Sequence, residues 1–313
     1  MPSACEKPDF SRIYESANDF PLSPDSAYVV GCSEEERESW LRGHKDLKLV
    51  DILVQTRSGL KVRYSDGTVD EVALRSTAAI ERFWSKVDSR KICLDITSLG
   101  HHVWAPLLRT AINLCLDVIV LYAEPNDYKK SLSPTEGTIF DLSISIEGIA
   151  PIPGFASLSD EYERHEVFIP LLGFEGNRLA HLIEHVQPAR EKIIPIVGVP
   201  GFRPEFVFHA YHGNCVSLLD TEAWKSMRFA AANSPFALCY LLEDIARERP
   251  NDLLKIAPIG TKPHALGAFL FYLKARRQVE FIYDFPIRRP KRTQGIARVL
   301  AYDVTKFLSL SRL

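Results

Sequence analysis

The residues with the most chemical promise come in two similar sets. Near the start of each half, an apolar run leads into Glu-x-x-Arg-x6-His: Glu34, Arg37 and His44 in the first, then Glu175, Arg178 and His185 in the second. On an α-helix, offsets of three and ten residues at about 100° per residue bring such side chains to one face. An acid, a guanidinium and an imidazole sharing a face can grip a polar ligand or supply a base. The plain alternative is an i,i+3 ion pair in an acidic first helical turn.

Near the end of each half, a second apolar run opens into a short polar loop and a helix. The second-half loop, Gly260-Thr261-Lys262-Pro263-His264, has the chemistry of an anion site. Glycine permits a sharp turn, free N–H groups at a helix start attract negative charge, and Thr261 and Lys262 add a hydroxyl and a cation. Pro263 suits a first helical turn. It is not a Walker A loop, because the spacing before Gly-Lys is wrong. The first-half counterpart is Asp95-Ile96-Thr97-Ser98, followed by His101 and His102; it keeps the hydroxyls but places an acid where a phosphate site prefers none.

A third apolar run closes each half on a tyrosine followed by an acid: Tyr122-Ala123-Glu124 and Tyr283-Asp284. Glu124 and Asp284 are placed to accept from ribose hydroxyls, to act as a base, or to cap a neighbouring helix. Arg288, Arg289, Lys291 and Arg292 follow directly, near enough to the anion loop for phosphate contact. The string His181-Leu182-Ile183-Glu184-His185 matches an inverted zinc-peptidase pattern, but only its last histidine recurs in the first half. The Arg-x6-His spacing also occurs in all-helical HEPN ribonucleases, from which the surrounding strands set this chain apart.

The elements that must position these residues read as α/β. Apolar strands with little alternation, separated by amphipathic helices, are what a parallel sheet covered on both faces requires. Strands are expected at 28–32, 49–55, 91–96 and 118–123, with a hairpin across Ser65-Asp66-Gly67-Thr68 and helices at 76–87 and 104–116. The second half is expected to run strand 167–172, helix 176–186, strands 192–198 and 215–219, and helices 221–232 and 235–248. Strand 253–259, helix 263–276 and strand 279–284 follow. The connection at 126–165 is rich in Ser, Pro, Gly and Asp, and Phe140–Ile146 has strand character. The tail, 299–310, is a strand or helix lying on the domain. The division is a polar lead-in (1–26), a first Rossmann-like half (27–150) and a second (151–313), both mostly parallel and related by pseudo-twofold duplication.

Bulk composition narrows the partners. The 313 residues are 46% hydrophobic, enough for one large core or two ordinary ones. A formal charge of -2 gives no global field toward nucleic acid or a membrane, so any anion site is local. The six cysteines lie far apart with no C-x-x-C pair, which favours free thiols in a reducing compartment. Without an apolar leader or a run of membrane length, the chain is expected to be cytoplasmic. No metal or cofactor is expected.

At Gly260-Thr261-Lys262, opening a helix after a buried strand, the chain resembles the CRISPR-associated Rossmann-fold (CARF) sensors, whose motif there often runs Gly-Gly-Thr-Lys; here Ile259 precedes Gly260. Two such halves in one chain resemble the SAVED arrangement of anti-phage signalling. The resemblance implies recognition of a cyclic oligonucleotide or related nucleotide between the halves, with Thr261 and Lys262 as the matched residues. It also implies a separately encoded effector. Two further readings stand beside it. One is a hydrolase or transferase acting on a nucleotide phosphate or glycosidic bond, with Glu34, Asp95 or Glu175 as base and Lys262 stabilising charge. The other is a non-catalytic scaffold. The ligand-binding set is Thr97, Ser98, Gly260, Thr261, Lys262, His264, Arg37, Arg178, Glu124, Asp284 and Arg288. Each binding reading requires the turns at Thr97 and Thr261 to converge.

Overall fold

The computed structural model describes residues 7–32, 35–44, 46–135, 138–155, 165–275 and 279–310. Glu34 and Cys5 lie outside them. The first part of the chain runs β1 (Ser11–Tyr14), β2 (Ser26–Gly31), β3 (Lys48–Gln55), β4 (Gly59–Arg63), β5 (Val69–Ala73), α1 (Thr77–Val87), β6 (Lys91–Asp95), α2 (His101–Asn113) and β7 (Asp117–Glu124). Short strands β8 (Asp127–Tyr128), β9 (Lys130–Thr135), β10 (Thr138–Phe140) and β11 (Ser143–Ile146) form the connection. Then come β12 (Glu166–Leu171), α3 (Gly176–Val186), β13 (Ile196–Gly198), α4 (Pro204–Asp220), β14 (Arg228–Ala230), α5 (Pro235–Glu248), β15 (Leu253–Pro258) and α6 (Lys262–Lys274). The chain ends with β16 (Val279–Phe281), β17 (Pro286–Arg288), β18 (Thr293–Gln294), β19 (Arg298–Asp303) and α7 (Val304–Leu310).

The fold is mixed α/β with two main sheets. The larger has the order β1-β19-β7-β6-β2-β3-β4-β5, with a parallel centre (β7-β6-β2-β3) and antiparallel margins. The smaller, β14-β13-β12-β15-β16, is parallel throughout. In each, the first strand of its parallel block is central, and the chain later crosses to that strand's other side. The resulting switch points lie between β2 and β6 and between β12 and β15, the positions where open α/β sheets gather ligands.

Local chemistry explains most elements. The hairpin β4–β5 turns through Gly67 at φ +85°, and Asp66 accepts from the Thr68 amide. Ser76 and Ser234 cap α1 and α5 by accepting from the third following amide. Both central sheets drive into one hydrophobic cluster, in which Trp104 of α2 meets Phe269 of α6 edge-on at 5.0 Å. The tail strand β19 pairs with β7 and β1 in the larger sheet, so the chain's end returns to its beginning.

Several expected elements differ. Residues 215–219 are the last turns of α4 rather than a strand, and 221–232 holds a 3₁₀ turn and β14 rather than a helix. Helix α4 is apolar on its outer side as well, with Phe208, Val216 and Leu219 exposed, so its helical period is hidden in the sequence. Helix α2 begins at His101, which puts Pro106 in the second turn. The expected strand 192–198 shortens to β13 behind a 3₁₀ turn, and 279–284 shortens to β16. Phe140–Ile146 divides between β10 and β11.

Candidate functional site

The two switch points face each other, and one side chain joins them. Lys262, at the start of α6, extends its Nζ into the loop between β6 and α2. There it donates to the carbonyls of Ile96, Thr97 (2.6 Å) and Leu99 (2.8 Å). Three acceptors match the three donors of an ammonium. Burial lowers the Lys262 pKa, and Arg37, Arg292 and Arg288 add to the lowering, while Asp95 opposes it. The Thr97 and Thr261 turns therefore converge, with Lys262 as the pin between them.

Each turn is built for close approach. Gly260 and Gly173 bring the ends of β15 and β12 together; a Cβ on Gly260 would lie 2.6 Å from the Leu172 carbonyl, and one on Gly173 2.6 Å from that of Ile259. Thr261 caps α6, accepting from the His264 amide (3.3 Å) and donating to Ala232 O (2.9 Å). His264 is fully buried against Ala231 O, and burial pushes its pKa down to about 4. In the first-half turn, buried Asp95 accepts from the Thr97 amide (2.8 Å), and the Thr97 hydroxyl accepts from the Ala123 amide (2.9 Å). Burial raises the Asp95 pKa. Ser98 lies against Gly31, where a Cβ would come within 2.3 Å of its hydroxyl oxygen.

The paired arginines are buried, each holding the third run of its own half. Arg37 donates to Ala123 O (2.8 Å), Tyr122 (3.3 Å) and Thr293 (3.2 Å). Arg178 forks onto Asp284 at 2.7 and 2.6 Å and reaches Ile259 O at 3.2 Å. Burial opposes ionisation of Asp284, but Arg178 and Arg288 hold its pKa below the usual carboxylate range. Glu124 is taken by Arg298 (3.0 and 3.1 Å), and burial raises its pKa.

The one-face expectation for Glu-x-x-Arg-x6-His does not hold. Arg37 lies on a 3₁₀ segment, Glu36–Leu41, that ends before His44, and both His44 and His185 are exposed while their arginines are buried. A first-half acid engaged at the site that the sequence reading missed is Glu35. It accepts from Thr293, and from the Arg292 amide and guanidinium at 3.3 Å. Glu175 plays a matching part: it accepts from the Leu142 amide (3.2 Å) and Ser143 (3.0 Å) and lies 3.5 Å from Arg288.

Two cavities have Lys262 in their linings. The first is walled by Tyr122, Tyr128, Phe174, Phe202 and Phe206, together with Arg37, Arg178 and Thr261. The second is walled by Gln55, Arg57, Ser98, His102, Tyr283 and Phe285. His101, Lys262, Arg288 and Arg292 line both. Arg292 is held down to about 10 by burial and by Arg288 and Arg37. His101 is buried and neutral: burial, with Lys262 and Arg288 nearby, drives its pKa well below the ordinary value. Its Nδ1 accepts from Trp104 (3.1 Å), which leaves Nε2 to carry the proton.

Among the described residues no cluster of His, Cys, Asp or Glu could hold a metal ion, and Cys32, Cys93, Cys115, Cys215 and Cys239 are free. No described helix is long and apolar enough to cross a membrane. Compared with known proteins, the chain matches no family model and no curated sequence.

Proposed function

We propose that this protein is a nucleotide-binding sensor module of a bacterial defence or signalling system, akin to the CARF and SAVED domains. Its ligand lies between two Rossmann-like halves related by duplication, and its output passes to a separately encoded effector. The observation that carries this reading is Lys262 bridging the two switch-point loops, which makes one crevice of two sheet edges. Charge supports an anionic ligand: Arg37, Arg178, Arg288 and Arg292 stand against Glu35, Glu175 and Asp284, while burial lowers the pKa of Lys262 and raises that of Asp95. The aromatic walls suit a base.

Binding is favoured over turnover because the two candidate bases among the described residues, Asp95 and Glu175, are occupied. Asp95 turns its own loop, and Glu175 anchors Leu142, Ser143 and Arg288. The duplication draws support from the shared switch-point topology and from Glu35 and Glu175, each of which holds a segment that follows the opposite half's third run.

The test is a melting-temperature screen of the purified chain against linear and cyclic nucleotides, followed by Arg288→Ala. The reading predicts a rise of several degrees with at least one nucleotide, little or no product, and loss of the rise in the variant. Indifference to every nucleotide would remove it.

A further inference from the structure

The two cavities are unlike, and their difference points to the shape of the ligand. The first is the tighter, with a cavity volume of about 90 Å³ against about 350 Å³ for the second. Its walls are rings: Phe202 lies 6.0 Å from Tyr122, and Phe206 lies 5.3 Å from Phe174. Phe202 is only half-buried, so part of its ring remains open.

The second cavity also contains two rings, but Tyr283 is buried and Phe285 is already covered. The Arg57 guanidinium sits 4.4 Å from its centroid, and His102 packs 5.3 Å away. What this side offers instead is polar: the Arg57 guanidinium, half-exposed and 3.8 Å from Glu147, with the Ser98 hydroxyl and Gln55 close by.

The wall common to both cavities presents donors. Lys and Arg side chains carry no acceptor, and His101 is fixed in the tautomer that carries its proton on Nε2. Lys262 spends its hydrogens on three carbonyls, so the bonds fall to His101 and to the guanidinium forks of Arg288 and Arg292, which carry five N–H donors each and already engage Glu175 and Glu35.

We infer that the crevice takes an asymmetric ligand with a single base: the base in the ring-walled cavity beside Phe202, the first phosphate at the Arg288–Arg292–His101 wall, and further phosphates in the roomier cavity toward Arg57. The ligand class is a nucleoside di- or triphosphate, or a nucleotide extended through a pyrophosphate, rather than a twofold-symmetric ring with two equivalent bases. This rests on the nucleotide-binding reading and specifies it.

The experiment is calorimetric titration of the full chain with a nucleoside, its 5′-mono-, di- and triphosphates, inorganic pyrophosphate and a twofold-symmetric cyclic dinucleotide. Affinity is expected to rise at least about tenfold from nucleoside to diphosphate and to exceed that for the cyclic dinucleotide. Phe202→Ala should weaken the nucleotides by about tenfold or more, the usual worth of one stacked base, and leave pyrophosphate unchanged. Arg57→Ala should weaken the di- and triphosphates and pyrophosphate but not the monophosphate. If Phe202→Ala does not fold, Phe202→Leu keeps the packing and removes the stacking face. Tighter binding of the cyclic dinucleotide than of any single-base ligand would overturn this inference and leave the nucleotide reading intact. Absence of heat with every ligand would overturn both.

Discussion

Lys262 and Arg288 line the same crevice but are held in opposite ways, and their variants should separate. Lys262 is pinned by three carbonyls, so Lys262→Met leaves buried acceptors unpaired and should cost about 2–4 kcal/mol in urea unfolding. Arg288 is only part-buried, so Arg288→Ala should cost about 1 kcal/mol or less while abolishing the nucleotide-induced rise in melting temperature. The buried histidines set a pH dependence. His102 and His264 titrate near 4 when folded, against about 6.5 when unfolded, so the unfolded chain binds protons first. Stability should be full above about pH 6.5 and fall as pH drops toward 4, and His264→Gln should flatten part of that slope in melts taken at intervals of pH. At this scale the residues singled out in the sequence, Arg37, Arg178, Thr97, Thr261 and Lys262, lie near one another around the two turns. The sequence could not mark which of them are consumed by the protein itself. Lys262 read as a free cation because carbonyl acceptors leave no trace in side-chain identity, and Glu35 was hidden because helical spacing favoured its neighbour Glu34.

Helix α3 carries Arg178 to the site, and its approach to α4 depends on two glycines. A Cβ on Gly213 would lie 2.2 Å from the Phe174 carbonyl, and one on Gly176 1.7 Å from that of Gly213. Backbone cannot give way there, so Gly213→Ala should destabilise by about 1–3 kcal/mol and weaken ligand binding by displacing Glu175 and Arg178. Gly43 has nothing within 4 Å of the same added atom, and Gly43→Ala should leave both stability and binding unchanged. Unfolding curves for the pair give the comparison. The elements themselves were largely legible: α3 and the hairpin β4–β5 follow from apolar spacing and Asp66-Gly67. Helix α4 was not, because Cys215-Val216-Ser217-Leu218-Leu219 has strand composition and its outward apolar residues erase the amphipathic signal. A strand assigned there would have moved the helix that closes over the first cavity.

Over the whole molecule, the central claim is that two sheet edges enclose one site. The apolar runs identified the parallel strands except β14, but the return of β19 to the larger sheet was not readable, since local pattern marks a strand without naming its partner. The convergence of the two loops follows from packing between α2 and α6, where Trp104 and Phe269 meet. The most direct test is hydrogen exchange of the full chain with and without the tightest-binding nucleotide. A single shared site predicts slower exchange in residues 95–102 and 259–264 together, saturating at one ligand per chain. Protection confined to one of these loops, or unchanged exchange in both at saturation, would contradict it.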